Sequence, residues 1–125
     1  MADATLPAAP FALSERPTEP ELVAKYFRAL GDPTRVRILE LLVEQGELSV
    51  GQLVSRLAVS QPKVSNHLAC LRWCGFVTPR REHRTVYYRV ADARVEAVIA
   101  LGRELLYENE AHVAACRRVD GQTSR

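Results

Sequence analysis

Four successive stretches of helical periodicity, two β-branched and aromatic runs around an arginine-rich tip, and one long amphipathic stretch predict a mainly helical α+β domain. The element order is ααααββα. A chain of 125 residues can bury one core, and 47% hydrophobic with 26% charged residues is the balance of an ordinary globular protein. No apolar run is long enough to span a bilayer, and no basic region followed by an apolar stretch opens the chain. A cytoplasmic protein without membrane contact is therefore expected. Three cysteines, an odd number without a small-secreted-domain pattern, fit reduced thiols better than a disulfide framework.

Residues 1–19 are rich in Ala and Pro without sustained periodicity and are expected to form a flexible arm. From Pro20, Leu22, Val23, Tyr26, Phe27 and Leu30 recur at three- and four-residue spacing, and Gly31 supplies the stop. Asp32 then caps a second helix with Pro33 in its first position; its stripe is Val36, Ile38, Leu39, Leu42 and Val43, ending near Gly46. Ser49 with Gln52 makes a capping-box pattern ahead of Leu53, Val54 and Leu57. After the connection "AVS", Ser60 is expected to cap a fourth helix that runs to about Cys74 and stops at Gly75. "FVT" and "TVYYRV", separated by the polar tip "PRREHR", read as a two-stranded hairpin. Asp92 caps the last helix, which carries Val95, Val98, Ile99, Leu105 and Leu106 and reaches His112 or Cys116. The domain thus covers residues 20–116, and residues 117–125 are a frayed tail.

Two short helices joined by a three- or four-residue turn form a helix-turn-helix, and the arginine-tipped hairpin is its wing. Charge agrees with a polyanion partner: residues 61–90 hold six Lys/Arg against the single acid Glu82, on an otherwise slightly acidic chain. On the helical wheel Val64, Leu68 and Leu71 fall within about 60° and form the buried stripe. Gln61, Lys63, Ser65 and Asn66 point elsewhere, where amides pair with base edges and lysine neutralises phosphate. His67 is assigned to the same DNA-facing set. Arg80, Arg81 and Arg84, with His83, are placed at the wing tip to reach the DNA backbone or minor groove. One such unit reads few base pairs, so a homodimer on double-stranded palindromic DNA is expected. Surplus apolar positions assign the dimer interface to the first and last helices.

Cys70 and Cys74 lie four apart in the reading helix, about 6 Å along one face and beside the buried stripe. Two sulfurs so placed can hold one thiophilic ion but need a further donor. Cys116 is the remaining thiol; if the last helix is at the dimer interface, it approaches the pair from the other protomer. Two other readings stand at this point: cysteines as small buried hydrophobes, and thiols that sense oxidants. No Cys–His–Asp/Asn constellation suggests an enzyme. Trp73, between the two cysteines, is assigned to packing.

The runs "RALGDPTRVRILELL", "LSVGQLVSRLAVSQPKVSNHLACLRWCGFV" and "RREHRTVYYRVAD" resemble the ArsR/SmtB family of winged-helix metal-responsive repressors over about residues 20–108. The resemblance implies a homodimer that binds operator DNA without metal and releases it on metal binding. It also implies thiolate sensing. The start of the reading helix lacks the Cys-Val-Cys of many arsenic and cadmium sensors. Cys70 and Cys74 instead match the "HLxCLRxCG" pattern of mycobacterial-type cadmium/lead sensors, in which a third cysteine comes from the C-terminal region of the partner subunit. Cys116 is the candidate here, with His112 as a further donor. The zinc-sensing variant is not matched: Asp92 and Glu108 fall at two of its ligand positions, but Arg94 and Leu105 occupy the histidine positions. The implied inducer is a soft ion, Hg(II), Cd(II) or Pb(II), with arsenite behind them.

Overall fold

The computed structural model describes residues 16–118; the expected arm and tail lie largely outside this range. The order is α1 (Glu19–Leu30), α2 (Pro33–Gln45), β1 (Leu48–Ser49), α3 (Val50–Leu57), α4 (Gln61–Trp73), β2 (Val77–Glu82), β3 (Thr85–Val90) and α5 (Ala93–Ala115). The helix starts follow local chemistry. Thr18 and Glu21 form a capping box on α1, Ser49 and Gln52 form one on α3, and the Asp32 carboxylate accepts from the amides of Thr34 and Arg35 on α2. Ser60 holds the N-cap position of α4, but its side chain makes no cap bond. The turn between α3 and α4 closes through Ala58 in the left-handed region (φ 55°, ψ 41°), a conformation that costs a residue with a Cβ about 1–2 kcal/mol.

Two expectations about the wing are corrected. The hairpin gains a third strand, β1, giving an antiparallel sheet ordered β1-β3-β2, with Leu48 opposite Tyr88. A two-residue strand carries too little pattern to be seen in sequence, yet Leu48 is fully buried and its backbone completes the ladder. The "PRREHR" segment is also mostly strand: β2 continues through Pro79, Arg80 and Arg81 to Glu82, so the turn contains only His83 and Arg84. Pro79 fits because β2 is an edge strand, where a missing N–H goes unnoticed by the ladder.

The core joins α2, α3, α4 and the sheet. Ile38, Leu39, Leu42, Leu53, Val64, Leu68, Leu71 and Phe76 are its largest fully buried side chains. Gly75 (φ 85°) turns the chain from α4 so that Phe76 enters this core, where Tyr26 of α1 packs on its ring at 4.6 Å. Leu41 is buried as well, outside the stripe read from sequence. The first half of α5 joins the body, through buried Val95, half-buried Ile99 and an Arg103–Glu40 ion pair to α2; the side chains of residues 100–115 are all exposed. This leaves large apolar side chains uncovered on two helices, among them Leu22 (51%) and Phe27 (55%) on α1 and Leu105 (56%) and Tyr107 (71%) on α5. Among the described residues, no helix is long and apolar enough to cross a membrane.

Candidate nucleic-acid interface and thiol pair

The buried stripe of α4, Val64, Leu68 and Leu71, orients the rest of the helix. With that face sunk in the core, Gln61, Lys63, Ser65 and Asn66 are all exposed around its N-terminal half. No hydrogen bond within the described residues engages their side chains, which leaves their donors and acceptors open to a duplex. His67 is different. Its Nδ1 lies 3.1 Å from a guanidinium nitrogen of Arg35, and its Nε2 lies 3.9 Å from the Asp32 carboxylate. Arg35 in turn donates through Nε to the Ala29 carbonyl at 2.6 Å. The imidazole therefore ties α4 to the junction of α1 and α2, a position consistent with its place beside the buried stripe. Sequence reasoning missed Arg35 because the contact spans 32 residues.

The wing arginines separate into two kinds. Arg80 makes a bidentate pair with Glu47 (2.9 and 2.8 Å), a third bond to Glu82 (2.9 Å), and stacks over the Tyr87 ring at 4.9 Å. The hydrogen bond from Arg80 holds the Glu47 carboxyl below its usual range, and Glu47 first, then Glu82, push the guanidinium further up. A guanidinium so paired braces the wing against the α2–β1 loop from within β2, with Arg81 and Glu82 between it and the turn. Arg81 in β2 and Arg84 in the turn are exposed and form no ion pair among the described residues.

Cys70 and Cys74 are half-buried against the core edge, and the Cys74 amide bonds the Cys70 carbonyl at 3.1 Å. Burial pushes the Cys74 thiol up from its ordinary value, and Cys70 pushes it further, both as a neighbouring charge and as a hydrogen-bond partner; Lys25 and Arg35 pull the other way. Two adjacent sulfurs with cations nearby suit a soft ion that replaces their protons. Among the described residues, no three His, Cys, Asp or Glu side chains of one chain converge on a common point. Cys116 sits at the C-cap of α5. The helix is interrupted on the way by a kink at Asn109 (φ −128°, ψ 17°), and Cys116 itself is half-buried. Asp92 serves as N-cap of α5 and is paired with Arg94 at 2.7 Å, and Glu108 and His112 are exposed. Trp73 does not pack: it is 92% exposed, opposite the buried stripe.

Residues 32–78 match the family described as "Bacterial regulatory protein, arsR family". A probable mercury resistance operon repressor of Streptomyces lividans is 40% identical over 105 residues, which cover 84% of this chain and 83% of that protein. The crystal structure of Mycobacterium tuberculosis Rv0081 matches with a TM-score of 0.72 at 33% identity, over 80% of this chain and 100% of that one. A homodimeric winged helix-turn-helix DNA-binding domain from Mycobacterium bovis matches with a TM-score of 0.65 at 30% identity, over 78% of this chain and 92% of that one.

Proposed function

Because the chain belongs to the arsR family of bacterial regulatory proteins, DNA-binding transcriptional regulators and not enzymes, we propose the following role for it. It is a repressor that holds operator DNA as a metal-free homodimer. It lets go when Cys70 and Cys74, with Cys116 of the partner subunit, take up a soft heavy-metal ion such as Hg(II), Cd(II) or Pb(II). The observation that carries this reading is the thiol pair lying on the same helix as Gln61, Lys63, Ser65 and Asn66.

The uncovered apolar faces of α1 and α5 supply the dimer interface, since a monomer rarely leaves so much contiguous apolar surface in water. Dimerisation sets two copies of α4 one helical turn of DNA apart, about 34–36 Å, so each enters successive major grooves. The same interface carries the exposed half of α5 towards the other protomer, and Cys116 with it. A soft ion bound there supplies a thiolate cross-link between protomers. Cys70 and Cys74 give up their protons, and Lys25 and Arg35 offset the resulting charge. The end of α4 is then anchored to α5 of the partner, and the two reading helices no longer match the groove spacing. Only a small bias is needed: a coupling of about 1–3 kcal/mol weakens DNA binding roughly 5- to 150-fold.

The test is fluorescence anisotropy of a labelled duplex, selected from a random pool by the metal-free protein and titrated with Hg(II), Cd(II), Pb(II) and peroxide. Metal releases wild type and fails on Cys116→Ser, and peroxide has no effect at equal thiol occupancy. Metal-driven release that persists after loss of all three cysteines overturns the reading.

A further inference from the structure

Between α4 and the wing runs a trough made of two adjoining hollows of about 410 and 440 Å³ that share Arg72 and Tyr88. It begins at Ser65, beside the reading residues, and passes Ala69 to the exposed indole of Trp73. Arg81 stands on its opposite, wing-side bank. No acidic residue lines it, and neither Arg72 nor Arg81 makes an ion pair among the described residues. Trp73 lies 92% in water, and its indole N–H has no acceptor among the described residues. A tryptophan on the outer face of a DNA-reading helix has no folding role to explain it.

Resting on the proposed DNA-binding role, we propose that this trough seats one phosphodeoxyribose strand flanking the base-reading contacts, with Trp73 as its end stop. Arg72 and Arg81 neutralise successive phosphates from the two banks. The indole face covers a deoxyribose, and its N–H donates to a phosphate oxygen. The charge of the two unpaired guanidinium groups selects a polyanion, and continuity with Ser65 places that polyanion on the same duplex that α4 reads. Because these contacts touch backbone and not base edges, they strengthen binding to every sequence alike.

Trp73 is the chain's sole tryptophan, so intrinsic emission reports this one position. The experiment uses metal-free full-length dimer with a random-sequence 30-bp duplex and with the selected operator duplex. It reads binding by anisotropy and Trp73 exposure by iodide quenching. Both duplexes are expected to shift the emission and lower iodide access several-fold. Arg72→Ala is expected to reduce the slope of log K against log salt by about 1 and to weaken binding roughly 3- to 10-fold at 0.1 M salt, equally on both duplexes. Trp73→Phe retains more affinity than Trp73→Ala. If the protein binds either duplex while Trp73 stays fully open to iodide and Arg72→Ala leaves the salt slope intact, the trough assignment is wrong and the DNA-binding role stands. Protection already present in the DNA-free dimer assigns Trp73 to a protein contact and also overturns it. Absence of binding to both duplexes removes trough and role together.

Discussion

Two dimers, each lacking a complete three-thiolate site, should regain a measurable part of it when their subunits are exchanged. The first carries Cys116→Ser, and the second carries Cys70→Ser with Cys74→Ser. Within one chain the pair at the end of α4 and the thiol at the end of α5 do not converge, and beyond the Arg103–Glu40 pair the second half of α5 is exposed. A site made from both protomers therefore needs the pair from one and Cys116 from the other. A twofold dimer has two such sites. Random exchange at equal amounts gives roughly a 1:2:1 mixture, in which the heterodimers are about half of all dimers and each contains one complete site. The expected capacity for three-thiolate binding of Cd(II) or Pb(II) is about a quarter of wild type, against no three-thiolate complex in either parent. The assay is partial unfolding and refolding of the mixed variants, followed by titration of the ultraviolet thiolate-to-metal absorption. A mixture that binds no more than its parents would refute the shared site, because a site within one chain cannot be rebuilt by exchange.

Three further expectations test the fold that positions this site. Asp32→Ala removes the cap on α2 and the carboxylate beside His67, which should cost about 1–2 kcal/mol and lower Tm by roughly 4–16 °C. Asp32→Ser, which keeps a capping oxygen, should restore more than half of that in a thermal melt; equal melts for the two variants would contradict the cap assignment. Arg80→Ala should leave the salt dependence of DNA binding unchanged, since Glu47 and Glu82 already occupy its guanidinium, whereas Arg81→Ala should lower the slope by about 1. Equal slopes for the two variants would show that Arg80 is available to DNA. Asp92 is held down to about 2, first by the Arg94 side chain and then by its backbone N–H, from an ordinary value of 3.8. A depressed carboxyl stabilises the fold above its unfolded value and loses that contribution as pH falls through the folded one. The stability difference between wild type and Asp92→Asn, followed by denaturant unfolding, should therefore be constant above pH ~5 and vanish towards pH ~2. A difference that does not change with pH would refute the charge-based account.

The order of helices was written in short-range signals. Asp32-Pro33, Ser49 with Gln52, and Asp92 mark starts through bonds that span two or three residues, and the α4 stripe of Val64, Leu68 and Leu71 follows from helical pitch alone. The reading residues were legible for the same reason: once that stripe is buried, the periodicity leaves Gln61, Lys63, Ser65 and Asn66 outside. The cysteine pair was legible too, since a spacing of four places both sulfurs on one side.

What the chain could not declare locally were contacts between distant segments. Glu47 pairs with Arg80 across 33 residues, and Arg35 with His67 across 32, so no local signal announces either contact. The strand β1 exists only because β3 offers a free edge for Leu48 and Ser49. Trp73 shows the converse case: a large apolar side chain looks like core in composition, but its angle on α4 leaves it in water. Backbone propensity and periodicity act over a few residues and can be read in order along the chain. Ion pairing, strand pairing and burial depend on which surfaces the finished fold brings face to face, and only the tertiary structure decides that.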